Sequence, residues 1–410
     1  MNDTVFVENK QFFIALAQRL HKTKPETCER YVWWKVLSAV VPHSSSEIRQ
    51  LRDDFYEALL KRPPQPRPVR CVKYVKSFLN MAISYKFAMD DNMEATSERV
   101  REMLNDITDA FNRLVDSLSW MDDKTKSSIR DKASNIGSYI GYPNWLLQPG
   151  QLDEYYKHVE VIDGQFLRSM IRIKSTEVGK VLASIGTKPE NATRDVWMSD
   201  PLEVNAFYSR SSNAVAIPAG ILQSPFYYLG IEALNYGAIG TILGHELTHA
   251  FDVEGKDYDK KGRRNSWWTD DMTKEYNSRA DCFVKQYQQY KIVGKYQLNG
   301  TLTLAENIAD NGGVREALHA YRAHLSKRSR PEPKLPPFTN FTNEQLFFLA
   351  FANVWCETTS EESALGSLSD VHSPNRFRVI GTLANLQEFA EAWQCPPGSN
   401  MNPQDKCVLW

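Results

Sequence analysis

No stretch of this chain reaches the ~18 consecutive apolar residues that a bilayer-spanning helix needs, and its N-terminus lacks a basic segment followed by an apolar one. The sequence as it stands is therefore expected to hold neither a membrane span nor an export signal. An excess of one charge is also missing: 49 Lys and Arg face 50 Asp and Glu, for a net -1. That balance gives no electrostatic reason to expect nucleic acid or an acidic membrane as partner. Six cysteines (Cys28, Cys71, Cys282, Cys356, Cys395, Cys407) are scattered without a CxxC pair, which removes thiolate zinc sites and dithiol redox motifs and leaves buried thiols or disulfide partners. No segment repeats at a fixed period.

What is present is a chain of 410 residues, 11% of them aromatic, long enough for two or three packed domains of a globular protein. Its most informative stretch is Gly244-His245-Glu246-Leu247-Thr248-His249-Ala250-Phe251-Asp252. On a helix of about 3.6 residues per turn, His245 and His249 project from nearly one face, so both rings can reach a single ion. Glu246 lies beside them, close enough to address a water at that ion. This is the HExxH pattern of zinc peptidases, and zinc suits it because it accepts nitrogen and oxygen ligands and keeps one position open in catalytic sites. Two imidazoles do not complete such a site. The pattern therefore demands a third ligand elsewhere.

Thr303-Leu304-Ala305-Glu306-Asn307-Ile308-Ala309-Asp310-Asn311-Gly312-Gly313 holds the candidate. A helix here places Glu306 and Asp310 on one face, where like charges repel mildly unless something positive sits nearby. Two readings stand open. Thr303-x-x-Glu306 fits a capping box, in which Glu306 merely satisfies a backbone N–H. Alternatively Glu306 is the third zinc ligand and Asp310 fixes the tautomer of a ligand histidine.

The rest of the chain sorts into a mainly α fold with a small β-sheet. From the start to about Leu60 it reads as helical, with Pro25 in a first turn and an apolar face drawn from Tyr31, Val32, Trp34, Val36 and Leu37. Arg62 to Pro68 is a proline-rich extended connector. Val100, Met103, Leu104, Ile107, Phe111, Leu114, Val115 and Leu118 form a core-facing helical stripe. A further helix follows the Asp122-Asp123 cap and carries Ile129, Ala133 and Ile136 before Gly137 and a Gly141-Tyr142-Pro143 turn. After about residue 160 the texture changes, and Val204–Tyr208 and Ala214–Pro218 read as short extended segments around a polar turn. A free strand edge there lets a peptide add as an extra strand; the alternative is an ordinary hairpin. The helix of His245 begins near Ala233, and its Gly237, Gly240 and Gly244 let another backbone pack closely. Leu325 to Phe338 reads as an exposed basic connector preceded by surface residues His319 and His324, and Phe347 to Phe351 as a core helix. His372 to Arg378 reads as a loop entering a helix near Ile380; its His and Arg either polarise a substrate carbonyl or are solvated. Sequons at Asn2, Asn191, Asn299 and Asn340 permit glycosylation in a secretory compartment.

Six segments stand together in one order: Asn205–Tyr208, Pro218–Gln223, Asn235–Gly237, the HExxH block ending in Phe251-Asp252, Glu306–Gly313, and the tail from His372 to Trp410. The set resembles the neprilysin and endothelin-converting enzyme family of zinc metallopeptidases over essentially the whole chain. The resemblance implies a helical lobe at 1–160, part of the substrate-enclosing cavity, packed against a gluzincin-like catalytic domain at 161–410. It implies one zinc held by His245, His249 and Glu306, with Glu246 as general base and His372 stabilising the oxyanion. Asp310, and by the same resemblance Asp252, orient ligand histidines. Asn205 and Ala206 bind substrate backbone and Arg378 holds a carbonyl on the primed side. Ile221, Phe226, Ile242 and Trp355 line the pocket for the residue after the cleaved bond, and Cys282 pairs with Cys407.

The activity so implied is hydrolysis of extracellular oligopeptides before large apolar residues, by an ectodomain at the cell surface or outside it. Members of this family usually open with a cytoplasmic tail, a membrane-spanning helix and further ectodomain, and this chain begins at Met1 inside that pattern. Cys71, Cys356 and Cys395 match positions whose partners lie in that further portion, and Cys28 has no counterpart. The alternative is a weakly active or inactive neprilysin-like peptide-binding protein.

Overall fold

A computed structural model describes residues 7, 9–61, 63–90, 92–184, 197–227, 230–265 and 267–410. The sequons at Asn2 and Asn191, and Arg62 of the proline-rich connector, lie outside the described residues. In chain order the helices are α1 (Lys10–Lys22), α2 (Pro25–Val40), α3 (Ser46–Leu60), α4 (Arg67–Phe78), α5 (Asn80–Ala88), α6 (Met93–Ser117), α7 (Asp123–Ala133), α8 (Gln151–Tyr156) and α9 (Phe166–Ser184). They continue as α10 (Glu232–Asn235), α11 (Thr241–Thr248), α12 (Asp270–Gln288), α13 (Leu304–Ser326), α14 (Asn343–Val354), α15 (Glu361–Gly366), α16 (Asn375–Ala384) and α17 (Gln387–Ala392). The strands are β1 (Gly137–Gly141), β2 (Phe207–Ser209), β3 (Ala214–Pro218), β4 (Lys291–Val293) and β5 (Tyr296–Gln297). The fold is thus mainly α with a small β component, as the sequence predicts.

Packing divides the chain into two compact units, Met1–Leu79 with Gly150–Arg194, and Asn80–Pro149 with Asp195–Trp410. This differs from the division expected at residue 160. The reason lies in α6, whose apolar stripe packs on α13 and α11 and so carries residues 80–149 into the larger unit. Val100, Met103, Ile107, Phe111 and Val115 are fully buried there, while Leu114 and Leu118 are half-buried.

The smaller unit has a modest core of Phe78, Met170 and Ile173, with the His43 ring 4.8 Å from that of Tyr74 and 5.8 Å from that of Phe166. Helix α2 has Pro25 at its first turn, as expected. Its apolar face does not form a core, however: Tyr31, Val32, Trp34, Val36 and Leu37 are all exposed, because the core of this unit is built by α4 and α9.

In the larger unit a three-stranded sheet has the order β1-β3-β2, with β1 parallel and β2 antiparallel to the fully buried β3. β1 was expected as the approach to a turn; pairing of Gly137 with Ala214 and Ile140 with Ile217 makes it a strand. β2 is an edge strand, with no strand paired to its outer side among the described residues. Helix α10 continues through a π-helical turn, Tyr236–Gly240, into α11. Its own N-cap, Ile231, offers no side-chain hydrogen bond; the Glu332 carboxylate accepts from the backbone N–H groups of Glu232 and Ala233 instead. The connector from Leu325 to Phe338 is therefore not wholly solvated, since Glu332 is buried and also accepts from Tyr321 Oη at 2.6 Å. His319 and His324 are half-buried rather than surface residues: His324 lies against the Tyr236 ring and His319 is 3.5 Å from Glu388. Phe347, Phe348 and Phe351 of α14 are core residues, as predicted. Helix α16 starts at Asn375, ahead of the expected Ile380, because Pro374 presets the entry and its missing N–H costs nothing there.

Candidate active site

The two helices that bear the expected ligands touch through backbone. A Cβ built on Gly244 of α11 would lie 2.7 Å from the carbonyl oxygen of Gly313 in α13, closer than any side chain permits. The glycines expected to allow close packing do so at Gly244 and at Gly237, where a Cβ would meet Phe347 O at 2.2 Å. Bare backbone at the crossing lets His245 and His249 face the first turns of α13.

There the three expected ligands converge. The Nε2 atoms of His245 and His249 are 3.0 Å apart, and Glu306 Oε2 lies 3.2 Å from the first and 3.5 Å from the second. Ligand bonds of ~2.0–2.1 Å in tetrahedral geometry separate donor atoms by roughly 3.3 Å, which these spacings fit. Each remaining ring nitrogen is taken by a carboxylate: His245 Nδ1 is 2.9 Å from Asp310 Oδ1 and His249 Nδ1 is 2.7 Å from Asp252 Oδ2. Glu306 Oε2 is buried with no hydrogen-bond partner among the described residues. Thr303 makes no capping bond; its hydroxyl donates to Asn299 O and accepts from Asn307 Nδ2. The capping-box reading of Glu306 is therefore set aside.

The electrostatics call for a cation. Burial opposes charge on both imidazoles, yet the carboxylates outweigh it and hold His245 above, and His249 well above, the usual histidine range. Burial would raise Glu306, but the two imidazoles hold it far below the usual carboxylate range. A buried carboxylate oxygen with no hydrogen-bond partner among the described residues, set within 3.5 Å of two imidazole Nε2 atoms, fits a divalent ion of borderline softness, and His245, His249 and Glu306 are the residues that would hold it.

A cavity of about 440 Å³ opens on this centre. Glu246, His372, Asn205, Ala206, Arg378, Ile221, Phe226, Ile242 and Trp355 line it together with the three ligands, whereas Asp310 and Asp252 do not reach it and sit behind the His245 and His249 rings. His372 Nε2 is 3.3 Å from Glu306 Oε2, while its Nδ1 is 2.9 Å from Asp370 Oδ1. Arg378 is more committed than expected for a solvated loop. Its Nε and Nη2 donate to Asp310 at 2.8 and 2.6 Å, and its guanidinium lies 3.8 Å from the Trp355 ring centroid. Away from the cavity, Cys282 and Cys407 form the expected disulfide, whereas Cys28, Cys71, Cys356 and Cys395 are free thiols.

Three supporting residues escape a reading of the sequence. Asp370 orients His372, and the short Asp-x-His spacing was the available signal. Lys132, fully buried on α7, donates to Ala250 O at 2.6 Å and Gly255 O at 2.8 Å, bracing the loop that carries Asp252. Burial lowers it to about 7 against the pull of Asp252. No local pattern marks it, since it stands 118 residues before its first partner.

Glu316 is the third. It is fully buried, and burial pushes its carboxyl up to about 8. Thr248 Oγ1, 2.7 Å from Gly244 O and 2.9 Å from Glu316 Oε1, has one proton for both contacts, so the pair is satisfied when the carboxyl keeps its own. The sign follows from the raised value. The native state keeps a proton that the unfolded chain releases near the ordinary 4.5, so stability is full below that pH and is lost progressively toward about 8. Glu316→Gln should remove this slope, raising stability at alkaline pH by roughly 3–5 kcal/mol. Thermal melts of both proteins between pH 5 and pH 9 check it: a constant gap in Tm contradicts the assignment.

Comparison with known proteins agrees with this geometry. Residues 205–409 and 1–143 match the two profiles described as Peptidase family M13. The endothelin-converting enzyme homolog of Locusta migratoria is 38% identical over 384 residues, covering 93% of this chain and 52% of its own. Human endothelin-converting enzyme 1 is 36% identical over 413 residues, covering 100% of this chain and 53% of its own. Among solved structures, Mycobacterium tuberculosis zinc metalloprotease ZMP1 in complex with inhibitor superposes with a TM-score of 0.76 at 27% identity, over 92% of this chain and 56% of that one. The chain spans about half the length of the curated relatives it matches. With the two profiles matched over residues 1–143 and 205–409, the chain belongs to peptidase family M13.

Proposed function

We propose that this chain is a zinc-dependent endopeptidase that hydrolyses oligopeptides, preferentially before large apolar residues. The observation that carries the reading is the convergence of His245, His249 and Glu306 on one point in the wall of a cavity that Glu246 also lines. A bound zinc supplies a Lewis acid that acidifies a water and polarises a carbonyl. The protein's own groups do the rest. Glu246 takes the proton of the attacking water and returns it to the leaving amine. His372, aimed by Asp370, donates from Nε2 to the developing oxyanion, a contact worth ~3 kcal/mol. Asp310 and Asp252 hold the ligand rings in orientation, and Arg378, clamped to Asp310, lends positive charge to a carbonyl on the primed side. Asn205 and Ala206, just before the open edge of β2, bind peptide backbone, and Ile221, Phe226, Ile242 and Trp355 receive the apolar side chain.

An extracellular or cell-surface setting accords with the Cys282–Cys407 disulfide and with sequons whose Asn299 and Asn340 are exposed. The decisive experiment incubates the purified chain with zinc and a quenched peptide containing a single Phe or Leu. Binding of one zinc and cleavage before that residue are the expected results. Zinc and peptide binding without cleavage selects the peptide-binding alternative, and failure to bind zinc overturns both readings.

A further inference from the structure

One cation in the cavity wall has no part in the scheme above. Arg210 immediately follows edge strand β2 and lines the cavity together with Tyr208. The other guanidinium there, Arg378, is buried and spends two donors on Asp310. Arg210 keeps a side chain 41% exposed, and its ion pair is with Glu254, itself 58% exposed, on the loop that follows His249. Such an exposed pair is weak, and another carboxylate can take the place of Glu254 at little cost.

The position of Arg210 says which carboxylate. A peptide joining β2 extends the sheet, and antiparallel pairing, the more stable mode per residue, runs its N-terminal half toward the end of β2 where Arg210 stands. From Ala206 to Arg210 the strand advances ~3.3 Å per residue, so the guanidinium lies beside peptide residues roughly three to four positions before the cleaved bond. Nearer the metal centre the carboxylates of Glu246 and Glu306 disfavour a further negative charge.

We propose that Arg210 selects peptides bearing a carboxylate side chain on the amino-terminal side of the cleaved bond, Glu254 holding that carboxylate's place when no peptide is bound. The inference rests on the peptidase reading for its site. Its test is read by binding, so the two can fail separately.

Two fluorescein-labelled peptides, identical except for Glu or Gln at the third and fourth residues before a Phe, are titrated by anisotropy against the zinc-loaded Glu246→Gln chain, which keeps them whole. The Glu peptide should bind about fivefold more tightly at low salt, the preference shrinking as ionic strength rises. Adding Arg210→Gln should bring the ratio of affinities to about one, and adding Glu254→Gln should widen it. Equal affinities in the parent, a ratio unmoved by Arg210→Gln, or a preference that appears only when Glu follows the cleaved bond would each overturn the proposal. Absence of cleavage by the unmodified chain, with this preference intact, would count against the peptidase reading alone.

Discussion

Glu246→Gln should abolish peptide turnover while leaving the metal in place. The substitution keeps the side chain's size and removes only its capacity to accept a proton. Glu246 is 7% exposed and faces the cavity, but is not one of the three groups that converge on the metal position. General base catalysis by a positioned side chain contributes about 10²–10⁴-fold, so kcat should fall by that factor at least, with KM little changed. Zinc content by atomic absorption, measured beside the rate, separates a lost base from a lost site. Turnover at the parent rate in the variant would remove Glu246 from the mechanism.

The largest effect on metal is expected from Glu306→Ala. Its Oε2 lies within 3.5 Å of both Nε2 atoms, so its loss leaves two imidazoles to hold the ion alone. Replacing an outer-shell partner already costs 10–100-fold in affinity, and loss of a ligand itself should exceed about 100-fold. Competition with a chromophoric chelator measures it. Asp310→Asn supplies the graded comparison: the ligand set survives and only the acceptor at His245 Nδ1 changes, so the loss should stay within roughly 10–100-fold. Full zinc affinity in Glu306→Ala would return Glu306 to a structural role at the helix start.

How much of this was legible beforehand depended on how local each feature is. His245, Glu246 and His249 could be placed because a helix fixes their mutual direction by spacing alone. Glu306 was ambiguous, because the same Thr-x-x-Glu spacing serves a cap; only the diversion of the Thr303 hydroxyl to Asn299 and Asn307 decides it. Strand β1 was missed because its glycine-bounded segment becomes a strand through pairing with β3, far along the chain. The stripe on α6 is legible in the sequence, but periodicity tells which face is buried and not which neighbour buries it, so the packing units do not divide at residue 160. On α2 even the buried face failed, since an apolar stripe does not guarantee a covering element among the described residues.

The contact of Gly244 with Gly313 bears on how the ion's surroundings respond to change elsewhere. Where side chains separate two helices, trimming or enlarging a neighbour alters their distance by tenths of an ångström. Here main chain rests on main chain, a hard stop that no rotamer adjusts. Substitutions in the surrounding interior should therefore register as lost stability while ion preference stays constant, so the centre is insulated from ordinary mutational drift.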